Sequence, residues 1–245
     1  RSLSDFNFVF NTIRVKGPNY PYVHNFIDKK GGTCLKRKKW KIFFVKHPKW
    51  DYADAYAKKA VEGLTKKLST FEDMSVMTGE LPKEFLDAHE VHDVIYNKSL
   101  SYYFAEEYKS KHFVSKVFCD LLEKGKEIKP NKYLSALDKQ VMLRDRIDNI
   151  FEEHDVIVTL STSGEAPFFF EPIDKPDSCL IWNLCGVPVA NLPVFKGPSG
   201  LPFGLQVVAR RYNDELLLDF CEYLCSEGFL PHTLKPQTPV SKDNL

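Results

Sequence analysis

"GVPVANLPVFKGPSGLPFGLQVVAR", Gly186–Arg210, decides how the chain is read. Two apolar runs, 187–195 and 201–210, flank "KGPSG", whose Gly197, Pro198 and Gly200 supply turn chemistry. The pattern predicts a β-hairpin with an unusual load of proline. Pro188, Pro193 and Pro202 have no N–H to give to a ladder, so they belong at strand starts, at bulges or on a sheet edge. Gly204, inside the second run, predicts a place where another group approaches the backbone closely.

Working outward, strands and helices alternate. "HDVIVTLST", 154–162, reads as a buried strand that opens into the polar, turn-rich "STSGEAP". A helix is predicted over 136–153, where Leu143, Ile147, Ile150 and Phe151 fall at offsets 0, 4, 7 and 8. "KKWKIFFVK", 38–46, is a continuous apolar run of strand length, as expected of a strand covered on both faces. Asp51 reads as the cap of a helix to Leu68 that turns Tyr52, Tyr56, Ala60, Leu64 and Leu68 to one side. After the hairpin, a helix from Asp214 shows Leu217, Phe220, Cys221 and Leu224 at offsets 0, 3, 4 and 7 and stops at Gly228.

Residues 69–136 read as mainly helical, with Tyr102, Tyr103, Phe104, Phe113, Val117, Phe118, Leu121 and Leu122 as core and Pro82 and Pro130 as punctuation. At the start, Ser2 and Asp5 resemble a capping box ahead of Phe6, Val9, Phe10 and Ile13 at helical spacing. That helix has an apolar face in need of a partner, and its abrupt opening at Arg1 suggests a cut chain. An extended, proline-rich tail covers 229–245. Strand followed by helix makes the fold class α/β.

Composition narrows the functions. The 245 residues carry 34 basic and 33 acidic side chains, a formal charge of +1, so no global field recruits nucleic acid or an anionic membrane. The run Lys36, Arg37, Lys38, Lys39 reads as a solvated strand entry. Cysteines at 34, 119, 179, 185, 221 and 225 form no CxxC pair, which suits reduced thiols and a cytoplasmic protein. Cys221 and Cys225 lack a second pair to close a zinc site, and "HEVH", His89–His92, lacks the i, i+4 histidines of a zinc protease helix. No metal or cofactor is expected. No apolar run reaches membrane-spanning length and no signal peptide is visible. The end of the 154–162 strand is where ligands gather in open α/β sheets, so Ser161, Thr162, Ser163 and Gly164 read equally as a pocket lining and as a surface turn.

"WNLCGVPVANLPVFKGPSGLPFGLQVVARRYNDELLLDFCEYL", 182–224, resembles the closing segment of the amidase signature family. "FEEHDVIVTLSTSGEAP", 151–167, is similar to the family's preceding strand, with Leu160 where the family ordinarily has proline. "RSLSDFNFVF" resembles the helix after the signature region, and "KKWKIFFVK" the strand that begins the second half. The resemblance covers essentially the whole chain, strongly over 151–228 and weakly over 69–136.

It implies the C-terminal half of an amidase signature fold: a mixed β-sheet flanked by helices, with a helical insertion around 69–136, in a single partial domain. It also implies a serine hydrolase of amides, in which one serine attacks the carbonyl, a second relays its proton and a lysine is the base. Those parts precede the first helix in the family, and no two serines are consecutive between Arg1 and Leu245. The implied role is therefore to complete the sheet and part of the pocket, inactive alone, with a small-molecule amide as substrate of the complete enzyme and the missing N-terminal half, or a second copy, as partner. Trp182 and Cys185 would touch the acyl group, Asn183 would tie down its loop, and Ser161 and Ser163 would line the pocket. Trp182 reads equally as a core aromatic and Asn183 as a turn former. A non-catalytic binding or scaffold protein on the same fold and an independent hydrolase using Ser161, Ser163 or Cys185 are the other classes. A sheet cut along its middle is expected to leave a sticky edge, so that the isolated chain aggregates or needs its other half.

Overall fold

A computed structural model describes residues 3–15, 39–167 and 178–230. Ser2, Cys34, Lys36–Lys38 and most of the 229–245 tail lie outside them. Two units are present, residues 1–36 with 212–245, and residues 37–211.

The larger unit is built on a five-stranded sheet. Its strands are β1 (Trp40–Lys46), β2 (Met74–Glu80), β3 (Val156–Leu160), β4 (Val189–Lys196) and β5 (Pro202–Ala209), in the order β2-β1-β3-β5-β4. β1 pairs in parallel with both β2 and β3, and β5 runs antiparallel to both β3 and β4, so the sheet is mixed as expected. The helix α1 is Leu3–Ile13, in the smaller unit. In the larger unit α2 is Ala55–Leu68, α3 Ala88–Tyr103, α4 Lys116–Glu127, α5 Pro130–Glu153 and α6 Leu180–Cys185. The smaller unit adds α7, Asp214–Ser226, where Glu222 accepts a hydrogen bond from Asn7 of α1 at 3.1 Å.

Side chains alternate across the strands. Phe43, Val45, Ile157 and Val208 join Phe85 and Val91 of the α3 region, Leu143, Ile147 and Phe151 of α5, and Ile181, Trp182 and Leu184 of α6 in one core. The opposite face carries Phe44, which borders α2 at Glu62 and Thr65 and meets Trp50 edge-on. The central strands are thus covered twice, which is why β1 and β3 are apolar at most positions. Every residue of β3 is buried.

The three hairpin prolines sit where a ladder tolerates them. Pro188 immediately precedes β4, and Pro202 is the first residue of β5. Pro193 falls in a bulge, because β4 advances from Leu192 to Phe195 while β5 moves only from Leu205 to Phe203.

The structure departs from several expectations. The segment 69–136 holds the strand β2, whose mostly exposed residues and weak apolar alternation give little signal at an edge position. The core helix starts at Pro130 rather than Ala136, since proline in a first helical turn gives up an N–H that would be unbonded anyway. Asp54, not Asp51, precedes α2, and the buried stripe of that helix is Ala57, Val61, Thr65 and Leu68, one position on from the predicted stripe until the two meet at Leu68. Of the aromatics expected as core in 69–136, Tyr102, Tyr103 and Phe113 are 75–85% exposed. Val117 is exposed too, and in α4 only Leu122 and Gly125 are buried.

Candidate functional site

The carboxyl end of β3 gathers polar groups from four segments. Ser161, one residue past the strand, donates its backbone N–H to the Gly204 carbonyl at 3.1 Å. Its own carbonyl accepts the Ser178 hydroxyl at 2.7 Å and faces the Cys179 thiol. Gln206 of β5, fully buried, accepts the Trp182 indole N–H on Oε1 at 2.6 Å and donates through Nε2 to Cys179 Sγ. A buried amide in an apolar strand requires such partners, because an unpaired one would carry the full cost of leaving water.

The Ser161 hydroxyl has none. It is buried and makes no hydrogen bond among the described residues. Gly204 creates the space beside it: a Cβ there would stand 2.0 Å from Asn191 Oδ1 and 2.4 Å from Ser161 Oγ. The expected close approach at Gly204 is thus made by side chains of β4 and of the β3 loop. Ser161 and Asn191 lie on either side of a backbone notch, with one hydroxyl unengaged.

The loop after β3 is held from both sides. Asp54 N–H donates to the Ser163 carbonyl at 2.8 Å, and the Glu165 N–H donates to the Tyr56 hydroxyl at 2.8 Å. The Glu165 carboxylate accepts the backbone N–H groups of Ser199, at 3.0 and 3.2 Å, and of Leu201, at 3.2 Å. One acidic side chain therefore ties the loop to the hairpin turn. Tyr56 packs edge-on against Phe203, which stacks on Phe195. Burial, with the Asp54 and Glu165 charges nearby, raises the Tyr56 pKa above its usual value, although the hydrogen bond from the Glu165 N–H opposes the shift.

The predicted site residues divide. Ser161 lies at the centre of this cluster and Ser163 in its half-buried loop. Trp182 is fully buried below it, with its N–H committed to Gln206. Cys185 is fully buried one turn further on, and desolvation pushes its thiol up to about 12 against the opposing pull of Arg144 and Arg211, so it holds no thiolate for nucleophilic work near neutral pH. Asn183 is exposed on α6. Gln206, Asn191 and Glu165 are not singled out by the sequence, and Tyr56 is named there only as part of its helix's apolar stripe. Gln206 is detectable as the one strongly polar residue inside "GLQVVA".

A second concavity of about 320 Å³ lies between α2 and the β1–β2 edge. It is lined by Phe44, Thr65, Lys66 and Val76 and by Lys46 and Glu62, which pair with each other at 3.1 Å. Its lining also includes the hydroxyl-bearing Ser69 and Thr78, and the polar cluster at β3 lies elsewhere. No group of three or more metal-ligating side chains occurs among the described residues. No helix among them is long and apolar enough to cross a membrane.

In open α/β sheets ligands gather beyond the carboxyl ends of the strands, which is where this polar cluster lies. The chain belongs to the amidase family, whose model, described as Amidase, matches residues 28–218. It is 36% identical over 93 residues to the A subunit of glutamyl-tRNA(Gln) amidotransferase from Helicobacter pylori (strain P12), an alignment covering 36% of this chain and 20% of that protein. Among solved structures, 6-aminohexanoate cyclic dimer hydrolase superposes with a TM-score of 0.73 at 16% identity, over 97% of this chain and 55% of that one. The corresponding amidotransferase chain of Thermotoga maritima does so with a TM-score of 0.56 at 16% identity, over 80% and 43%. The chain matches about a fifth of the curated relative's length and about half of the solved structures' lengths. At these identities the structures establish the shared fold.

Proposed function

We propose that the chain forms the C-terminal part of an amidase signature hydrolase that cleaves a carboxamide C–N bond, and that it is inactive by itself. It completes the sheet and builds one wall of the substrate pocket. The observation that carries the reading is the buried Ser161 hydroxyl at the carboxyl end of β3, unengaged among the described residues, in a chain that matches the amidase family over 28–218. A hydroxyl donates and accepts, which suits a group that meets either the carbonyl or the N–H of an amide.

In this reading Ser161 and Ser163 face the substrate and exposed Asn183 lies at the rim. Trp182 and Cys185 act from beneath, Trp182 by holding Gln206 and Cys185 by filling the core behind α6. The nucleophile, its relay and its base come from paired serines and a lysine on polypeptide outside these residues, which is the partner the reading requires.

The test is labelling with a fluorophosphonate probe, applied to the chain alone and to a longer polypeptide that adds the paired serines and lysine. Labelling of the longer form only is expected. Labelling of the chain alone would identify a nucleophile within 1–245 and overturn the proposal. In the active form, Ser161→Ala is expected to lower kcat/KM about tenfold, the worth of one hydrogen bond made to a reacting amide.

A further inference from the structure

The sheet ends differently on its two sides. Among the described residues it finishes in β4 on one side and in β2 on the other. β4 is a guarded edge, since Pro193 and the bulge between Leu192 and Phe195 interrupt the row of groups that another strand would need. β2 has no such device. Its seven residues, Met74–Glu80, pair with β1 without a register shift, and they include neither proline nor lysine. Among the described residues β1 is its only strand partner, which leaves the outer side of the ladder open.

Alternate residues of β2 face opposite sides of the sheet. Val76 and Thr78 line the concavity beside α2, so Met74 and Glu80 belong to that face, and Ser75, Met77 and Gly79 to the other. Met77 is apolar and yet 47% exposed. On the concave side, Glu80 and Lys66 have no ion pair among the described residues. The neighbour of Glu80 across the ladder, Lys46, is engaged by Glu62 at 3.1 Å. Lys66 stands in the last turn of α2, where it lines the concavity with Val76.

Antiparallel pairing of β2 with a second copy of itself, centred on Met77, sets Met77 against Met77, Val76 against Thr78, Ser75 against Gly79 and Met74 against Glu80. The exposed methionines meet at the axis, with the small Ser75 and Gly79 beside them. On the concave side two β-branched side chains meet, a pairing that favours strand association. No like charges stand opposite each other. Glu80 of the second copy arrives beside Met74, at the end of β2 that a short turn joins to the last turn of α2, which carries Lys66. Both charges thus gain a partner, and twofold symmetry repeats the gain on the other copy. The acidic Glu72 and Asp73 lie in the turn before the strand, outside the paired span.

We propose that the β2 edge is an interface between two copies of the chain, which join antiparallel about a twofold axis at Met77 and continue the sheet from one copy into the next. The occupant is a second copy because the strand is complementary to itself and because the charges beside it, Glu80 and Lys66, match each other across the axis. The inference is independent of the amidase reading.

The test is sedimentation velocity on the full chain over a concentration series, and a monomer–dimer equilibrium is expected. Met77→Lys sets two ammonium groups opposite each other at the axis and weakens dimerisation about tenfold or more. Lys66→Glu and Glu80→Lys each bring like charges together and weaken it about threefold, while the double change restores it, because it reverses the pair instead of removing it. A wild type that stays monomeric, a dimer indifferent to Met77→Lys, or a double change that restores nothing overturns the proposal. Where association through other surfaces obscures the sedimentation, oxidative cross-linking with peptide mapping decides. The thiols introduced by Met77→Cys join to each other between copies, and those introduced by Tyr103→Cys, equally exposed to solvent but remote from the edge, do not. Equal yields from the two variants, or no joining through position 77, overturns the proposal as well.

Discussion

Two apolar stretches, 136–153 with the segment leading into the hairpin and 102–121 with its aromatics, have different fates. In the first, Leu143, Ile147 and Trp182 close over the sheet and disappear from solvent. In the second, Tyr102, Tyr103 and Phe113 remain in water although all three are large aromatics. Periodicity states which side of a helix is apolar; it does not state whether anything lies against that side. What separates the two is contact with the sheet. α5 and α6 bring residues into the core of β1, β3 and β5, whereas α4 meets α3 and contributes only Leu122 and Gly125 to a buried surface.

The comparison is broken or kept most forcefully by a pair of truncations. Trp182→Ala removes a fully buried indole and leaves Gln206 Oε1 without its donor, and is expected to cost about 3–5 kcal/mol in urea unfolding. Tyr103→Ala, an equally aromatic site, is expected to stay within about 0.5 kcal/mol of wild type. Similar losses at the two positions would mean that the exposed layer is packed in solution and that the contrast is false.

A smaller effect tests the notch. Gly204→Ala drives a methyl into Asn191 and Ser161, and overpacking of this kind costs about 1–3 kcal/mol. The double change Gly204→Ala with Ser161→Gly is expected to recover part of it, since one of the two obstructing groups is then gone. No recovery would show that Asn191 alone fills the space.

Smaller again is the tie between loop and hairpin. Glu165→Gln keeps the shape and removes the charge that accepts from Ser199 and Leu201, at an expected cost of about 1 kcal/mol for these partly solvated bonds. Hydrogen exchange should accelerate at the amides of Ser199 and Leu201 and leave β3 unchanged. Unchanged exchange at both amides would remove Glu165 as the tether.

The legible parts of the molecule are those where one residue type has few places to go. Proline cannot serve a ladder, so Pro188, Pro193 and Pro202 announce their start and bulge positions, and Gly204 announces a crowded backbone. The polar cluster is legible only as a strand end. Trp182 finds Gln206 across 24 positions and Glu165 finds Ser199 across 34, and nothing local marks either pairing. The buried stripe of α2 is obscured for a related reason. The small Ala57 faces inward, while Tyr56, the larger residue, is needed at its rim for Phe203 and the loop after β3. Size favours the wrong face because the requirement comes from another segment.

The smallest expected effect lies at His154, where the chain enters β3. Its ring stacks on Phe43 at 4.8 Å, and burial, helped by Lys41, lowers its pKa despite the opposing charges of Glu153 and Asp155. The folded state thus resists the proton that the unfolded chain accepts at about 6.5. Stability from the neutral ring is fully present above that value and declines as pH falls through the lowered folded pKa. His154→Phe keeps an aromatic ring against Phe43 and has nothing to titrate, so its unfolding free energy should vary less between about pH 7 and pH 5 than that of the wild type. Parallel curves for the two proteins would show that His154 is as well solvated in the fold as out of it, and that burial around β3 ends at the strand's first residue.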